Sequence, residues 1–382
     1  MSAKVLIVSS TASMILQFTM RNIALLQAAG YQVAVAANFD QPGTITQDQA
    51  QDLKAELTEK NVSWHQVDFG RGVGRPLQNL RAIRQLRDLM RGRDFDFVYT
   101  QAALASVFSR LVARYYRLPV LYFAHGFQFY RGGPWQNWCL YYPIEKLLSR
   151  WTKVLVTIND EDTQLAQQHF HAGEVVQVPG VGIAYQAFAK PRSAEKLQAL
   201  RRSLQLPEKT RVLISVGELS RRKNHQLVIR ALANSDQTDL HYLIVGIGDQ
   251  QAALVQLIDE LGLSQRVHLL GYRTDVGDLY HLAEVAVFPS RYEGLMVAGM
   301  EAMAAGLPLL YAQVRGIADY MTPGQTGYPF RDNDLAGLEA GLTKILPRAK
   351  AMGEQAQAAA QQFDYHAIDQ QMATIFQGMK EN

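Results

Sequence analysis

The 382-residue chain is long enough for two domains, and its 48% apolar content rules out an extended disordered body. One cysteine, Cys139, excludes an internal disulfide and a cysteine-built metal site, and reads most simply as cytosolic life. The net charge of +3 is uneven: residues 1–190 carry 19 Lys and Arg against 14 Asp and Glu, and residues 191–382 carry 19 against 21, so an anionic surface or ligand is expected on the N-terminal half.

The first apolar run, Val5 to Val8 within "MSAKVLIVSSTAS", is too short for a signal-peptide core and reads as a buried strand. "YQVAVAAN", "FDFVYTQ", "PVLYFAHG" and "KVLVTIND" read as further strands, with helical stretches between several of them. From Leu77 to Arg91 the apolar Leu77, Leu80, Ile83, Leu86 and Met90 recur at helical spacing, and Arg81, Arg84, Arg87 and Arg91 follow one residue later. The window Arg71 to Arg93 holds seven arginines and one acid, Asp88; Arg110, Arg114 and Arg117 are expected to add a second basic edge. This helix reads either as an ordinary solvated face or as one that lies on anionic lipid. Nucleic acid fits it poorly, because no aromatic platform is interleaved with the arginines. The acidic triplets "DFD" (Asp94 to Asp96) and "DED" (Asp160 to Asp162) look like metal motifs. The first is a turn before a strand and the second opens a helix, where acids favour the N-terminus. No metal is expected at either.

Val178 to Ser193 has the Gly and Pro punctuation of a linker. After it, "RVLISVGE", "HYLIVGIG", "RVHLLGY", "EVAVFPS", "LPLLYA" and "GYPF" form a second series of strands. Strands alternating with helices imply parallel sheets wound by right-handed crossovers. The expected fold is therefore α/β, with two Rossmann-like domains facing across a cleft: residues 1–183, residues 184–364, and a C-terminal helix at about 365–382 packing back on the first. The richest apolar stretch, Val285 to Ala312, contains Arg291, Glu293 and Glu301 and is not a membrane span, so the protein is expected to be soluble or peripheral.

Within that stretch, "PSRYEGLMVAGMEAMAAGLP" places Glu293 on the loop leaving a strand and Glu301 inside a helix expected over Leu295 to Ala305. At roughly 1.5 Å per residue the carboxylates lie roughly 12 Å apart, a distance that suits a ligand with two ends. Alone, the spacing fits an amphipathic core helix equally well. Other informative residues also sit at strand ends: His125 and Gly126, Gly217 and Glu218, Gly246 to Asp249, and Tyr272 with Arg273.

Together, "SRYEGLMVAGMEAMAAGLP", "VGELSRRKNH", "LIVGIGDQ" and "LLGYRTDV" resemble, in order and spacing, the family 4 retaining glycosyltransferases of GT-B architecture. "HGFQFYRGGPWQNWCLYYPIEKLLSRWTKVLVTINDED" and "VPGVGI" further resemble bacterial enzymes that build exopolysaccharide or capsule repeat units. The resemblance implies a nucleotide-sugar donor, a UDP-sugar, and an acceptor saccharide on a polyprenyl pyrophosphate at the cytoplasmic face of a membrane. Other polysaccharide-assembly proteins are the implied partners. It assigns Glu301 to the ribose hydroxyls and Glu293, with His125, to the sugar at the reaction centre. Main-chain groups of Gly294, Leu295 and Met296 go to the diphosphate, together with Lys223. The family's arginine after the strand glycine is replaced here by Glu218, and Arg222 is the expected substitute cation. Gly246 makes a tight turn beside the nucleotide; Tyr272 and Arg273 lie against the base or form an ordinary loop pair. Thr11 and Ser13 stand where the family has a double-glycine loop, their hydroxyls replacing N–H donors toward acceptor or phosphate. No cofactor and no metal are implied. The rival readings are a nucleotide-sugar epimerase of the same fold and a non-catalytic donor-binding subunit.

Overall fold

The computed structural model describes residues 3–70, 74–92 and 94–380. Arg71 and Arg93, the two ends of the basic window, lie outside the described residues. Among the described residues, no helix is long and apolar enough to cross a membrane.

The chain divides into two compact units, Met1–Val181 with His366–Asn382, and Gly182–Tyr365. The first holds a seven-stranded sheet in the order β3-β2-β1-β4-β5-β6-β7. Its strands are β1 (Lys4–Val8), β2 (Gln32–Ala37), β3 (Ser63–Gln66), β4 (Phe97–Gln101), β5 (Val120–Phe123), β6 (Val154–Thr157) and β7 (Glu174–Gln177). Every pair is parallel. The central strands are near-continuous apolar runs with both faces covered, as parallel sheets require. The edge strands β3, "SWHQ", and β7, "EVVQ", are polar and partly exposed, so their sequences carry no such run.

The second unit holds six parallel strands in the order β10-β9-β8-β11-β12-β13. They are β8 (Arg211–Val216), β9 (Leu240–Val245), β10 (Val267–Leu269), β11 (Val285–Phe288), β12 (Leu309–Ala312) and β13 (Gly327–Phe330). In each sheet the strand order reverses beside the first strand, between β1 and β4 and between β8 and β11. Loops leaving the carboxyl ends of strands at such a reversal diverge and leave a crevice for ligand. The helix Tyr365–Gly378 belongs, from His366 onward, to the first unit. Phe376 packs on Tyr99 of β4 with ring centroids 5.9 Å apart, and Asp369 pairs with Arg21.

The basic helix forms over Pro76–Met90, with proline at its first turn where no N–H is needed. Its core-facing side differs from the one periodicity implied. Leu86 and Met90 are buried, whereas Leu77 and Leu80 are 82% and 51% exposed. Arg110 is likewise no part of a basic edge. It lies buried in the helix Ala103–Tyr116, its Nη2 2.7 Å from Oε2 of buried Glu145 and its guanidinium over the Tyr122 ring. Neighbouring helices cover this position, which spacing along one helix does not reveal.

Candidate functional site

In the second unit the sheet brings together what the sequence separates by some seventy residues. β8 and β11 pair side by side across the reversal, so the loop after β8 and the loop after β11 leave from neighbouring points. The first delivers Arg222 and Lys223, the second Glu293. Glu293 is buried, with Oε2 2.6 Å from Arg222 Nη1 and Oε1 2.8 Å from Lys223 Nζ. At 2.8 Å the contact of Lys223 with Oε1 is a close, charge-assisted one. Lys223 Nζ also donates to Met296 Sδ at 3.2 Å. Burial pushes the Lys223 ammonium below its ordinary pKa, Glu293 opposes that shift, and Arg222 adds to it. Two cations against one buried carboxylate leave a positive surplus, with Glu218 only at the rim, 3.9 Å from Arg222 Nη2 and largely exposed.

Two glycines make room for this arrangement. A Cβ on Gly246 would stand 1.9 Å from the Gly217 carbonyl oxygen, and its φ of +146° is one that side chains disfavour. A Cβ on Gly217 would meet Lys223 Cε at 3.2 Å. Bare backbone at the ends of β8 and β9 thus lets the lysine fold back under the loop.

The helix after Glu293 spans Val297–Ala304. Its first turn is only partly open. The Met296 N–H donates to the Gly316 carbonyl at 2.8 Å, so this residue has no main-chain donor to offer an anion; its sulfur supports Lys223 instead. The N–H groups of Leu295, Val297 and Ala298 have no acceptor among the described residues, the usual state of a helix start. Gly294 leads into this turn. Glu301 lies one helical turn further in, and its carboxylate makes no hydrogen bond or ion pair among the described residues. Burial pushes its carboxyl up to about 7. Tyr272 and Arg273 do not join this cluster. Arg273 closes a two-bond fork on Asp275, at 2.8 and 2.6 Å, and Tyr272 is exposed.

In the first unit, half-buried His125 follows β5 and packs between Phe18 and Phe123. Its Nε2 is 2.9 Å from Gln101 Oε1 at the end of β4. The Gln101 amide nitrogen donates to Ser9 Oγ at 2.8 Å and to Thr19 Oγ1. With the amide nitrogen so committed, Gln101 Oε1 accepts, so His125 carries its proton on Nε2 and leaves Nδ1 as a bare acceptor. Burial lowers the His125 pKa to about 4, so the ring is neutral across the physiological range. The loop beyond it is tied down by the "DED" acids. Asp162 Oδ2 accepts from the Phe127 N–H at 2.9 Å, and Glu161 Oε1 from the Arg131 N–H at 2.6 Å. Gln101 and Asp162 are the residues that sequence reasoning missed. Gln101 ends a strand, the position that singles out His125, and Asp162 reads in the sequence only as a helix-start acid. Thr11 and Ser13 bond to each other, Oγ to Oγ at 3.0 Å, and the Ser13 N–H is spent on the Pro42 carbonyl. That pair keeps one hydroxyl proton to donate outward.

The pattern of the family "Glycosyl transferases group 1" matches residues 197–362, and that of "Glycosyl transferase 4-like domain" matches residues 15–180. EpsD of Bacillus subtilis (strain 168), a protein assigned as a glycosyltransferase, is 31% identical over 308 residues, covering 78% of this chain and 81% of that one. The UDP-Gal:alpha-D-GlcNAc-diphosphoundecaprenol alpha-1,3-galactosyltransferase of Escherichia coli is 24% identical over 280 residues, 70% of this chain and 71% of the other. In fold, the chain matches Anabaena Alr3699/HepE in complex with UDP and glucose, with a TM-score of 0.77 at 19% identity over 98% of this chain and 100% of that one. The chain belongs to the group 1 glycosyltransferases, the family 4 enzymes of GT-B architecture.

Proposed function

We propose that the enzyme moves a hexosyl or N-acetylhexosaminyl unit, with retention, from a UDP-sugar to a saccharide carried on a polyprenyl diphosphate. The product would be a repeat unit of exopolysaccharide or capsule, built at the cytoplasmic face of a membrane alongside other polysaccharide-assembly proteins. The observation that carries this reading is the cation cluster at the end of β8. Arg222 and Lys223 exceed their buried carboxylate by one positive charge and stand beside the open N–H groups of a helix start, a setting made for a diphosphate.

In this reading the bond between the anomeric carbon and the diphosphate oxygen breaks as the acceptor hydroxyl attacks from the same face. The acceptor proton passes to the departing diphosphate. Arg222, Lys223 and the N–H groups of Leu295, Val297 and Ala298 take up the charge that grows on it. Glu301 accepts from the ribose hydroxyls. Glu293 and the neutral His125, through its bare Nδ1, hold the sugar hydroxyls, and no metal or cofactor takes part. The name of the Escherichia coli relative, a UDP-Gal enzyme acting on a diphosphoundecaprenol-linked sugar, supports the UDP-sugar and lipid-diphosphate part of the reading.

The test is a panel of UDP-sugars with a lipid-linked saccharide, read by released UDP and by the acceptor's change in mass, with and without EDTA. Transfer that survives EDTA is expected. Epimerised donor with no transfer, or activity lost on chelation and restored by magnesium, overturns the proposal.

A further inference from the structure

One peptide group at the candidate site is gripped at its carbonyl and open at its N–H. The Met296 carbonyl and the Val297 N–H belong to the same planar, resonance-coupled unit. The N–H is one of the donors without an acceptor, among the described residues, at the start of the helix Val297–Ala304. The carbonyl accepts from the Tyr320 hydroxyl at 3.0 Å. Tyr320 ends the short turn Ala318–Tyr320, on the connection from β12 to β13. That connection also takes the Met296 N–H, on the Gly316 carbonyl at 2.8 Å, and Asp319 Oδ2 fixes the Gly316 N–H at 3.1 Å. A Cβ on Gly316 would stand 2.5 Å from the Gly294 carbonyl oxygen, and its φ is +73°, so glycine is what lets the two segments meet this closely. One connection thus holds Met296 at its N–H and its carbonyl, while the methionine sulfur supports Lys223.

The helix gives up some of its own stability for this contact. A Cβ on Gly299 would stand 2.2 Å from the Tyr320 hydroxyl oxygen, with Leu309 Cδ1 and Met296 Cγ further off at 3.3 Å. Glycine is a poor residue for a helix interior, and Gly299 has ordinary helical backbone with no positive φ. The hydroxyl, rather than the backbone, calls for glycine there. A second tyrosine supplies the contrast. Tyr280, fully buried, donates to the Ala298 carbonyl at 2.9 Å. The other end of that peptide, the Gly299 N–H, is spent on the Met296 carbonyl at 3.1 Å. The two tyrosines therefore make the same bond, one to a peptide with an open N–H and one to a peptide with a closed N–H. A phenol keeps its proton across the physiological range, so both hydroxyls stay donors. A hydrogen bond accepted at one end of a peptide polarises it and strengthens the donor at the other end, by roughly 10–30% per bond.

We propose that Tyr320 is a positioning residue for the departing diphosphate: through the Met296 carbonyl it aims and strengthens the Val297 N–H that takes up the growing charge. This rests on the donor diphosphate lying at this helix start, as argued above. The test uses the full chain, with UDP and uridine as probes in calorimetry or competition. Tyr320→Phe should weaken UDP roughly two- to fivefold and leave uridine unchanged. The Met296 carbonyl keeps the Gly299 and Met300 N–H groups, at 3.1 and 3.4 Å, so the substitution strands no carbonyl. In transfer from the UDP-sugar that the panel above selects, kcat should fall by a larger factor than KM rises, because the charge on the leaving group is greatest in the transition state. Tyr280→Phe loses the same kind of bond and should lower the melting temperature while the UDP-to-uridine affinity ratio stays at its wild-type value. Gly299→Ala should depress that ratio as Tyr320→Phe does, and added to Tyr320→Phe it should depress the ratio no further. A ratio unchanged in Tyr320→Phe, or moved as much by Tyr280→Phe, overturns the positioning role. A wild type that binds UDP no more tightly than uridine sinks the diphosphate reading itself, whatever the variants do.

Discussion

Glu301 is a carboxylate held near neutrality with no partner, and that makes it a proton gauge for the donor. If Glu301 accepts from the ribose hydroxyls as proposed, those bonds favour its charged form, so UDP binding should lower its pKa from about 7 and expel a proton. Calorimetry at pH 7 in buffers of different ionisation heat should show release of about half a proton, and affinity for UDP should rise between roughly pH 6 and 8. Glu301→Gln should remove both effects, and Glu301→Ala should weaken UDP about 10- to 100-fold, the worth of a charge-assisted hydrogen bond. The sign for stability is opposite. A folded pKa raised above the unfolded 4.5 contributes stability present below pH 4.5 and lost as pH rises through about 7, so the unliganded wild type should lose more on that rise than Glu301→Gln. Gly246→Ala tests the bare backbone beside Lys223. With a Cβ 1.9 Å from a carbonyl oxygen and an unfavourable φ, it should cost more than about 1 kcal/mol in a denaturant melt. The sequence placed Glu293 on the loop after an apolar strand and Glu301 in the helix that follows, and the family resemblance alone pointed to Lys223; that Lys223 and Arg222 would close on Glu293 was not legible, since pairing across the sheet reversal joins loops far apart in the chain. The protonation of His125 was equally hidden, because it is decided by Gln101, on a different strand.

At the scale of elements, helical periodicity locates a helix but not its coverings. Pro76–Met90 formed where the apolar spacing placed it, yet Leu77 and Leu80 stayed exposed while Leu86 and Met90 were covered, and Arg110 went inside because Trp135–Ser149 brings Glu145 to it. The six strands of the second unit were all readable as apolar runs, whereas the polar edges β3 and β7 were not, since an edge strand needs only one covered flank. The buried Arg110–Glu145 pair has a testable consequence. Glu145→Ala strands a guanidinium in the core and should cost about 3–5 kcal/mol by denaturant titration, with Arg110→Met and Glu145→Leu together recovering much of it. Arg84→Glu with Arg87→Glu should abolish sedimentation with anionic vesicles at low salt and leave UDP binding intact, because that attraction is worth about 1 kcal/mol per arginine near the surface.

For the molecule as a whole, the units are not successive beads on a chain. Gly182–Tyr365 is inserted into the other unit, and its two ends are stitched together where they leave it: the Ile183 N–H donates to Phe363 O at 2.8 Å and the Tyr365 N–H to Ile183 O at 3.1 Å. Ending the chain after Asp364 should therefore leave UDP binding near wild type while lowering the melting temperature of the other unit, whose Tyr99 loses Phe376. Equal damage to both properties would count against two independent cores.

That interrupted layout also bears on how the protein is born. A ribosome delivers the whole of Gly182–Tyr365 before it delivers Asp369 and Phe376, so the inserted unit can close on the nascent chain while the earlier one waits for its last helix. Domains made in sequence ordinarily mature in the order of synthesis. Here the half that is translated first is completed last, and during that interval the face of β4 that Phe376 will cover stays open.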